Sequence, residues 1–266
     1  AGCMQRTTPV VASFLGDDLL GTPTGNGGFS KKSKLVVHIS RWLCRHAKAV
    51  IVKSEEMRQA TLMEKNNFVI PNGVDFALFR PAPRSEARAA LGWKQDAYYV
   101  LFGNDPQIPR KNFALAQAAI KCLRARGISA ELVVANGLPQ TQVVQYINAC
   151  NVLILPSLIE GSPNIVKETM ACNVPVVATD VGDVSEVIGH TKGCNVCPFE
   201  PEALAIALEE AIRHTEPTTG RNDIRHLDRR AVAHQVIGVY EQVLQGVGRG
   251  GRRGEEDYAK SAQGTY

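Results

Sequence analysis

A chain of 266 residues with 44% hydrophobic side chains can bury one large core or two smaller ones, which sets aside disordered and fibrous classes. The net charge of +4 is mild, and the longest apolar runs, such as "VPVVA" and "VLIL", fall far short of the ~20 residues a membrane-crossing helix needs. The seven cysteines are odd in number and sit mostly in apolar segments (Cys44, Cys122, Cys150, Cys172), as reduced cysteines do, so a cytoplasmic location is expected.

The opening "AGCMQRTTPVVASFLGDD" lacks the basic-then-apolar order of a secretory signal, and a first residue that is Ala suggests a processed or truncated start. "TPVVASF" predicts a strand, "KSKLVVHISRWLCRHA" an amphipathic helix and "AVIVKS" the next strand. Ser54 then predicts an N-cap, with Glu55 and Glu56 in the first turn of a helix reaching about Glu64. "NFVIPNGVD" predicts a strand that ends in a turn at Asn72-Gly73. From Leu19 to Ser54 there are seven basic residues (Lys31, Lys32, Lys34, Arg41, Arg45, Lys48, Lys53) and no acid. This predicts a local positive surface, which is either a solvated helix face or a seat for phosphate, anionic lipid or nucleic acid.

At "FALFRPAPRSEARAALGW" the character changes to a Pro-interrupted linker and one short helix. The domains expected are therefore 1–78, a partial first lobe, then 79–245, a second lobe with a closing C-terminal helix, and 246–266, a disordered Gly/Arg and acidic tail. The second lobe alternates strands ("AYYVLFG", "AELVVANG", "NVLILPS", "VPVVATD") with helices ("NFALAQAAIKCLRARG", "TQVVQYINAC", "PNIVKETMAC", "PEALAIALEEAIRH"), which predicts an α/β fold with parallel strands. Open parallel sheets place their ligand crevice at the carboxyl ends of the strands. The loops 103–111, 136–139 and 156–164 are thus expected to converge, with Gly103, Asn104, Gly137 and Ser157 at the crevice.

Glu160 follows a strand and precedes Gly161, Ser162 and Pro163, and Asn164 opens a helix that carries Glu168. Free N–H groups at that helix start, with the positive end of its macrodipole, suit a phosphate or sugar hydroxyls. Gly161 lets a ligand approach the backbone, and Pro163 suits a helix start because its missing N–H is not needed. Glu168 can point to the same crevice, where a carboxylate accepts two hydrogen bonds from a vicinal diol such as a ribose. Either glutamate alone reads equally as a solvated carboxylate; the joint arrangement favours a site.

Taken together, "PNGVD" followed by "FRP", Gly103 followed by Lys111-Asn112, and "PS", "EGSP" and "MACNVPVVATD" resemble the retaining glycosyltransferases of family 4, with the two-domain GT-B fold, over roughly Pro9 to Leu244. The resemblance implies that Glu160 contacts the donor sugar at its reacting face and Glu168 binds the nucleotide ribose. The amides near Asn164, Ile165 and Val166 would hold sugar hydroxyls and the distal phosphate, and Lys111 would neutralise the leaving diphosphate. Two positions depart from the family pattern. The arginine expected shortly after the strand-end glycine is Asn104, with Arg110 the nearest substitute, and the histidine expected before the glycine of the first lobe is Leu15 in "FLGDD". The first lobe is also shorter than the resemblance implies.

The expected function is transfer of a hexose from a nucleotide-diphosphate sugar (UDP, GDP or ADP type) to a carbohydrate or lipid-linked acceptor hydroxyl, with retention and without a metal or other cofactor. The rival is a non-catalytic nucleotide-sugar-binding lobe completed by a second chain or by a homo-oligomer. An epimerase of the same fold fits the glutamate spacing poorly. Gly16, Asp17 and Asp18 are acceptor-side candidates, the aspartates serving either an acceptor or a helix cap. The basic segment adds an expected peripheral contact with an anionic membrane surface. Cys194 and Cys197 form a lone CxxC, read as strand-end packing over metal or redox work. The six histidines are scattered, so no metal site is expected, and "GVGRGG" follows a helix rather than a strand, which removes the mechanism of a dinucleotide fingerprint; no nucleic-acid partner is expected.

Overall fold

The computed structural model describes residues 8–23, 28–214 and 216–262, with side chains to 246. Two parallel sheets organise them. The first has three strands in the order β1 (Val11–Ser13), β2 (Ala49–Val52), β3 (Asn67–Val69). Between β1 and β2 lie the short α1 (Asp17–Leu20) and the longer α2 (Lys31–His46), whose N-cap Ser30 accepts the Ser33 N–H at 3.1 Å. Between β2 and β3 lies α3 (Glu55–Ala60), capped by Ser54. It stops short of Glu64 because the Thr61 hydroxyl turns back to the Arg58 carbonyl at 2.8 Å and Leu62 is left-handed.

After the linker and α4 (Arg84–Leu91) comes the second sheet, built from β4 (Tyr98–Phe102), β5 (Ala130–Val134), β6 (Val152–Leu155), β7 (Val176–Thr179) and β8 (Asn195–Cys197), in the order β5-β4-β6-β7-β8. The connecting helices are α5 (Phe113–Ala125), α6 (Gln140–Ala149), α7 (Asn164–Ala171) and α8 (Val184–Ile188), and α9 (Pro201–Arg213) follows β8. Strand alternation sorts the core into two layers. Val100, Phe102, Val152 and Ile154 face α5 and α9, while Tyr99, Leu101, Leu153 and Leu155 face α6, α7 and α8. The chain leaves β4 to one side and returns past it to β6, so the sheet switches direction at the carboxyl ends of β4 and β6, where an open α/β sheet forms its crevice. That makes the fold α/β with parallel sheets, as the sequence predicts.

The last elements are α10 (Gly220–Asp223) and α11 (Arg229–Ala262). α11 was expected to close the second lobe, but it packs on the first. Val232, Val236, Val239 and Val243 form a stripe against Ala49, Ile51, Phe68 and Ile70, the face of β1–β3 opposite α2 and α3. The crossing is fixed at its root, where the Val74 N–H donates to the Leu227 carbonyl at 2.9 Å and the Arg229 N–H to the Val74 carbonyl at 3.0 Å. Arg221 also fastens the linker, donating to the Phe76, Phe79 and Ala171 carbonyls. The backbone of α11 continues across most of the 246–266 segment expected as a disordered tail, whose side chains from 247 on lie outside the described residues.

Cys194 precedes β8 and Cys197 ends it, both as packing residues, the first against the Val176 N–H and Met170, and burial pushes both thiols up to about 11. Lys53 does not belong to the positive surface expected of it: it is buried, and desolvation lowers its pKa. Among the described residues no helix is long and apolar enough to cross a membrane.

Candidate active site

The loop after β4 ends in a 3-10 turn, Pro109–Lys111, held by Asn112 in the left-handed conformation that asparagine tolerates. This turn sends two cations to one carboxylate. Lys111 Nζ lies 2.5 Å from Glu160 Oε1, and an Arg110 terminal nitrogen 3.4 Å from Oε2. Glu160 is only 7% exposed, so its charge requires such partners. The Leu158 N–H donates to the Arg110 carbonyl at 2.8 Å, locking the loops after β4 and β6 to each other.

Two compartments open on either side of Glu160. The larger, about 490 Å³, is bounded by Gly103, Asn104 and Lys111 on one side and Ala135, Gly137, Leu138 and Val143 on another, with Pro163, Asn164 and Ile165 at the first turn of α7 and Glu168 further along it. The three strand-end loops do converge there. Gly103 is required because a Cβ would meet the Ile165 side chain at 2.5 Å, so the strand end and α7 can touch only without one. The Asn104 side-chain nitrogen is buried and has no partner among the described residues. Glu168 accepts no hydrogen bond from any described residue, and burial raises its carboxyl to about 7.

The smaller compartment, about 340 Å³, is lined by Leu15, Gly16, Asp17, Asp18, Arg110, Glu160 and Gly161. Here the two lobes come into contact: a Cβ on Gly161 would lie 2.2 Å from the Leu15 carbonyl oxygen. Asp17 meets Arg110 at 3.0 Å, so the charges Asp17, Arg110, Glu160 and Lys111 run in a row from the first lobe into the second. Asp18 also lines this compartment and accepts the Leu15 and Gly16 N–H groups at 3.0 and 2.9 Å, while α1 has no side-chain cap.

Other expected positions turn their side chains under the loop. The Ser162 hydroxyl accepts the Asn72 N–H at 3.1 Å, contacts Lys167 Nζ, and donates to Asp183 at 2.8 Å, and Lys167 pairs with Asp183 at 2.6 Å. Ser162 thus lines the larger compartment while its hydroxyl serves a buried network under the loop. Val166 packs in the core and Ser157 is fully buried beneath the loop, so their side chains do not reach either compartment. Asp105, Ile108 and Asn136 also line the larger compartment, within loops the sequence marked, whereas Val143 comes from α6, which carried no such signal. Among the described residues, no three His, Cys, Asp or Glu side chains converge to hold a metal.

Two facing parallel lobes with a crevice at the strand ends define the GT-B class. The model of the family Glycosyl transferases group 1 matches residues 72–214, over half of the chain, and the chain belongs to that family. Sucrose-phosphate synthase (tll1590) from Thermosynechococcus elongatus superposes with a TM-score of 0.73 at 20% identity, over 91% of this chain and 70% of that one. Alr3699/HepE from Anabaena, solved with UDP and glucose, gives 0.69 at 20% identity, over 88% and 71%. A glycosyltransferase from Rickettsia africae ESF-5 gives 0.60 at 15%, over 74% and 64%. No curated protein sequence matches significantly.

Proposed function

We propose that the chain carries the donor site of a retaining hexosyltransferase resembling family 4, which moves a hexose from a nucleoside diphosphate sugar to an acceptor hydroxyl. The observation that carries this reading is the larger compartment itself: Lys111 with Glu160 at one end, Glu168 without a partner at the other, and the start of α7 between them. An Anabaena neighbour bound to UDP and glucose supports the donor class.

In this reading the ribose diol donates to Glu168, and Ala135, Leu138 and Val143 offer the base an apolar wall. The diphosphate lies between the α7 amides and Lys111, with the Asn104 side-chain nitrogen free to donate to it. As the bond from the anomeric carbon to the diphosphate breaks, negative charge grows on the leaving oxygen, and a fixed cation there lowers the barrier. Glu160 bounds both compartments, so it stands where donor sugar and acceptor meet. The acceptor hydroxyl enters from the side of Asp17 and attacks the face the diphosphate leaves. Lys111, Arg110 and the amides supply the positive charge the leaving group needs, and activity is expected to survive EDTA.

A second reading, a nucleotide-sugar-binding lobe completed by another chain, draws on the first sheet having three strands against the five of the second among the described residues. One experiment addresses both: thermal shift with UDP, GDP, ADP and their sugars, with hydrolysis and the anomer of any product followed in the same samples. Stabilisation with turnover and a retained anomer supports the enzyme. Stabilisation without turnover for any acceptor supports the binding lobe, and no stabilisation by any nucleotide overturns both.

A further inference from the structure

α2 is inverted relative to an ordinary helix lying on a sheet. Its buried residues are small or polar, Ser33, Ser40 and Cys44, and of its large apolar ones Leu43 packs against the core while four point away from the protein: Leu35 is 59% exposed, Ile39 and Trp42 47%, and Val36 38%. Positions 35, 39 and 42 recur at helical spacing, so they form one continuous outward stripe rather than scattered exposures. Basic residues surround it. Lys31, Lys32, Lys34, Arg45 and Lys48 are exposed, Arg41 is half-buried with its Nε on the Ala60 carbonyl, and no acid occurs from Leu19 to Ser54.

The three lysines occupy the first turn, where the helix dipole is itself positive and no acidic side chain compensates it. Local stability does not explain this choice; a negative ligand does. Outward Trp, Leu and Ile bordered by Lys and Arg are the makings of a helix that lies in a lipid–water interface, its apolar stripe among acyl chains and its cations at headgroups. A polypeptide partner would need an apolar groove ringed by acids to match both features.

We propose that α2 docks this protein onto an anionic bilayer surface. The inference stands independently of the reaction proposed above. α1 packs on α2, and Asp17 of α1 lines the smaller compartment, so docking would hold that compartment close to the membrane.

The test is co-sedimentation of the full chain with vesicles of phosphatidylserine and phosphatidylcholine, against phosphatidylcholine alone, with tryptophan emission read in parallel. Binding to the anionic vesicles only, with a blue shift absent from Trp42→Phe, is the expected result, because the other tryptophan, Trp93, is already packed against Tyr99 and Tyr146. Leu35→Ser with Ile39→Ser should weaken binding at least tenfold. Lys31→Ser, Lys32→Ser and Lys34→Ser should each weaken it about fivefold without lowering the melting temperature. The proposal is overturned if anionic vesicles bring nothing down, or if binding survives both sets of substitutions. It is equally overturned if the Trp42 shift appears without vesicles and rises with protein concentration, which would assign the stripe to a second copy.

Discussion

Glu160 and Glu168 open onto the same crevice from opposite surroundings. Glu160 is clamped by Lys111 and Arg110, whereas Glu168 accepts nothing from the protein and is raised to about 7 by burial. A carboxylate held by two cations has its position settled before any ligand arrives. One that is desolvated and unpaired is held in an unfavourable state that only incoming donors relieve. The first arrangement suits a reacting centre and the second a binding contact. A third carboxylate, Asp183, marks the structural extreme: it pairs with Lys167 with both side chains 1% exposed, beneath the loop that carries Glu160.

That ordering can be tested by removing one member at a time. Asp183→Ala leaves a lysine buried without its partner and should lower stability by about 3–5 kcal/mol in urea unfolding. A loss within error of zero would mean that Lys167 finds another route to solvent. Lys111→Met should reduce turnover by roughly 10²–10³-fold with a much smaller change in nucleotide affinity; equal losses in both would make Lys111 a binding group only. Glu168→Ala should do the reverse, weakening nucleotide binding about tenfold or more by calorimetry, about 1.5–3 kcal/mol. Unchanged affinity would remove the ribose role.

The smallest effect is a pH dependence. Because the Glu168 carboxyl is raised from 4.5 to about 7 in the empty protein, ribose hydroxyls that favour its charged form should bind more tightly as pH rises towards 7 and level off above it. For the fold the sign is opposite. A raised carboxyl contributes stability that is fully present below the unfolded value and lost as pH rises through the folded one. Glu168→Gln should therefore gain on the unsubstituted protein progressively in thermal melts from pH ~4.5 to ~7 and keep a constant advantage above that. Parallel melting curves across that range would place Glu168 in solvent.

Much of the second lobe was legible locally. Apolar runs bounded by Gly, Asn or Pro gave its strands, and the loops they feed do meet in one crevice, because a parallel sheet aligns its carboxyl ends whatever the side chains. β8, with only three residues, and the four- and five-residue helices α10 and α8 carried no periodic signal long enough to read. At the site, residue type marked Glu160, Lys111 and Glu168, all of which line the larger compartment. It did not show that Ser162, which lines the crevice beside Asn164, turns its hydroxyl inward to Lys167 and Asp183. The side chains of Ser157 and Val166 are buried for a related reason: proximity in sequence to a loop tip says nothing about which side chains point under it.

The order of strands and helices, the crevice loops and the pair of glutamates followed from the sequence by itself, since periodicity, turn chemistry and spacing are local properties of a chain. Three features rest on long-range contacts. α11 packs on the first sheet because its valines meet Ile51 and Ile70, far from it in sequence. Arg110 bridges Asp17 and Glu160 because Gly161 lets the two lobes touch. The apolar stripe of α2 faces outward because its inner face is taken up by Ser33, bonded to the Thr22 N–H after α1, and by Cys44 and Leu43 against the first-lobe core, and helical spacing identifies two faces without saying which one the core will take.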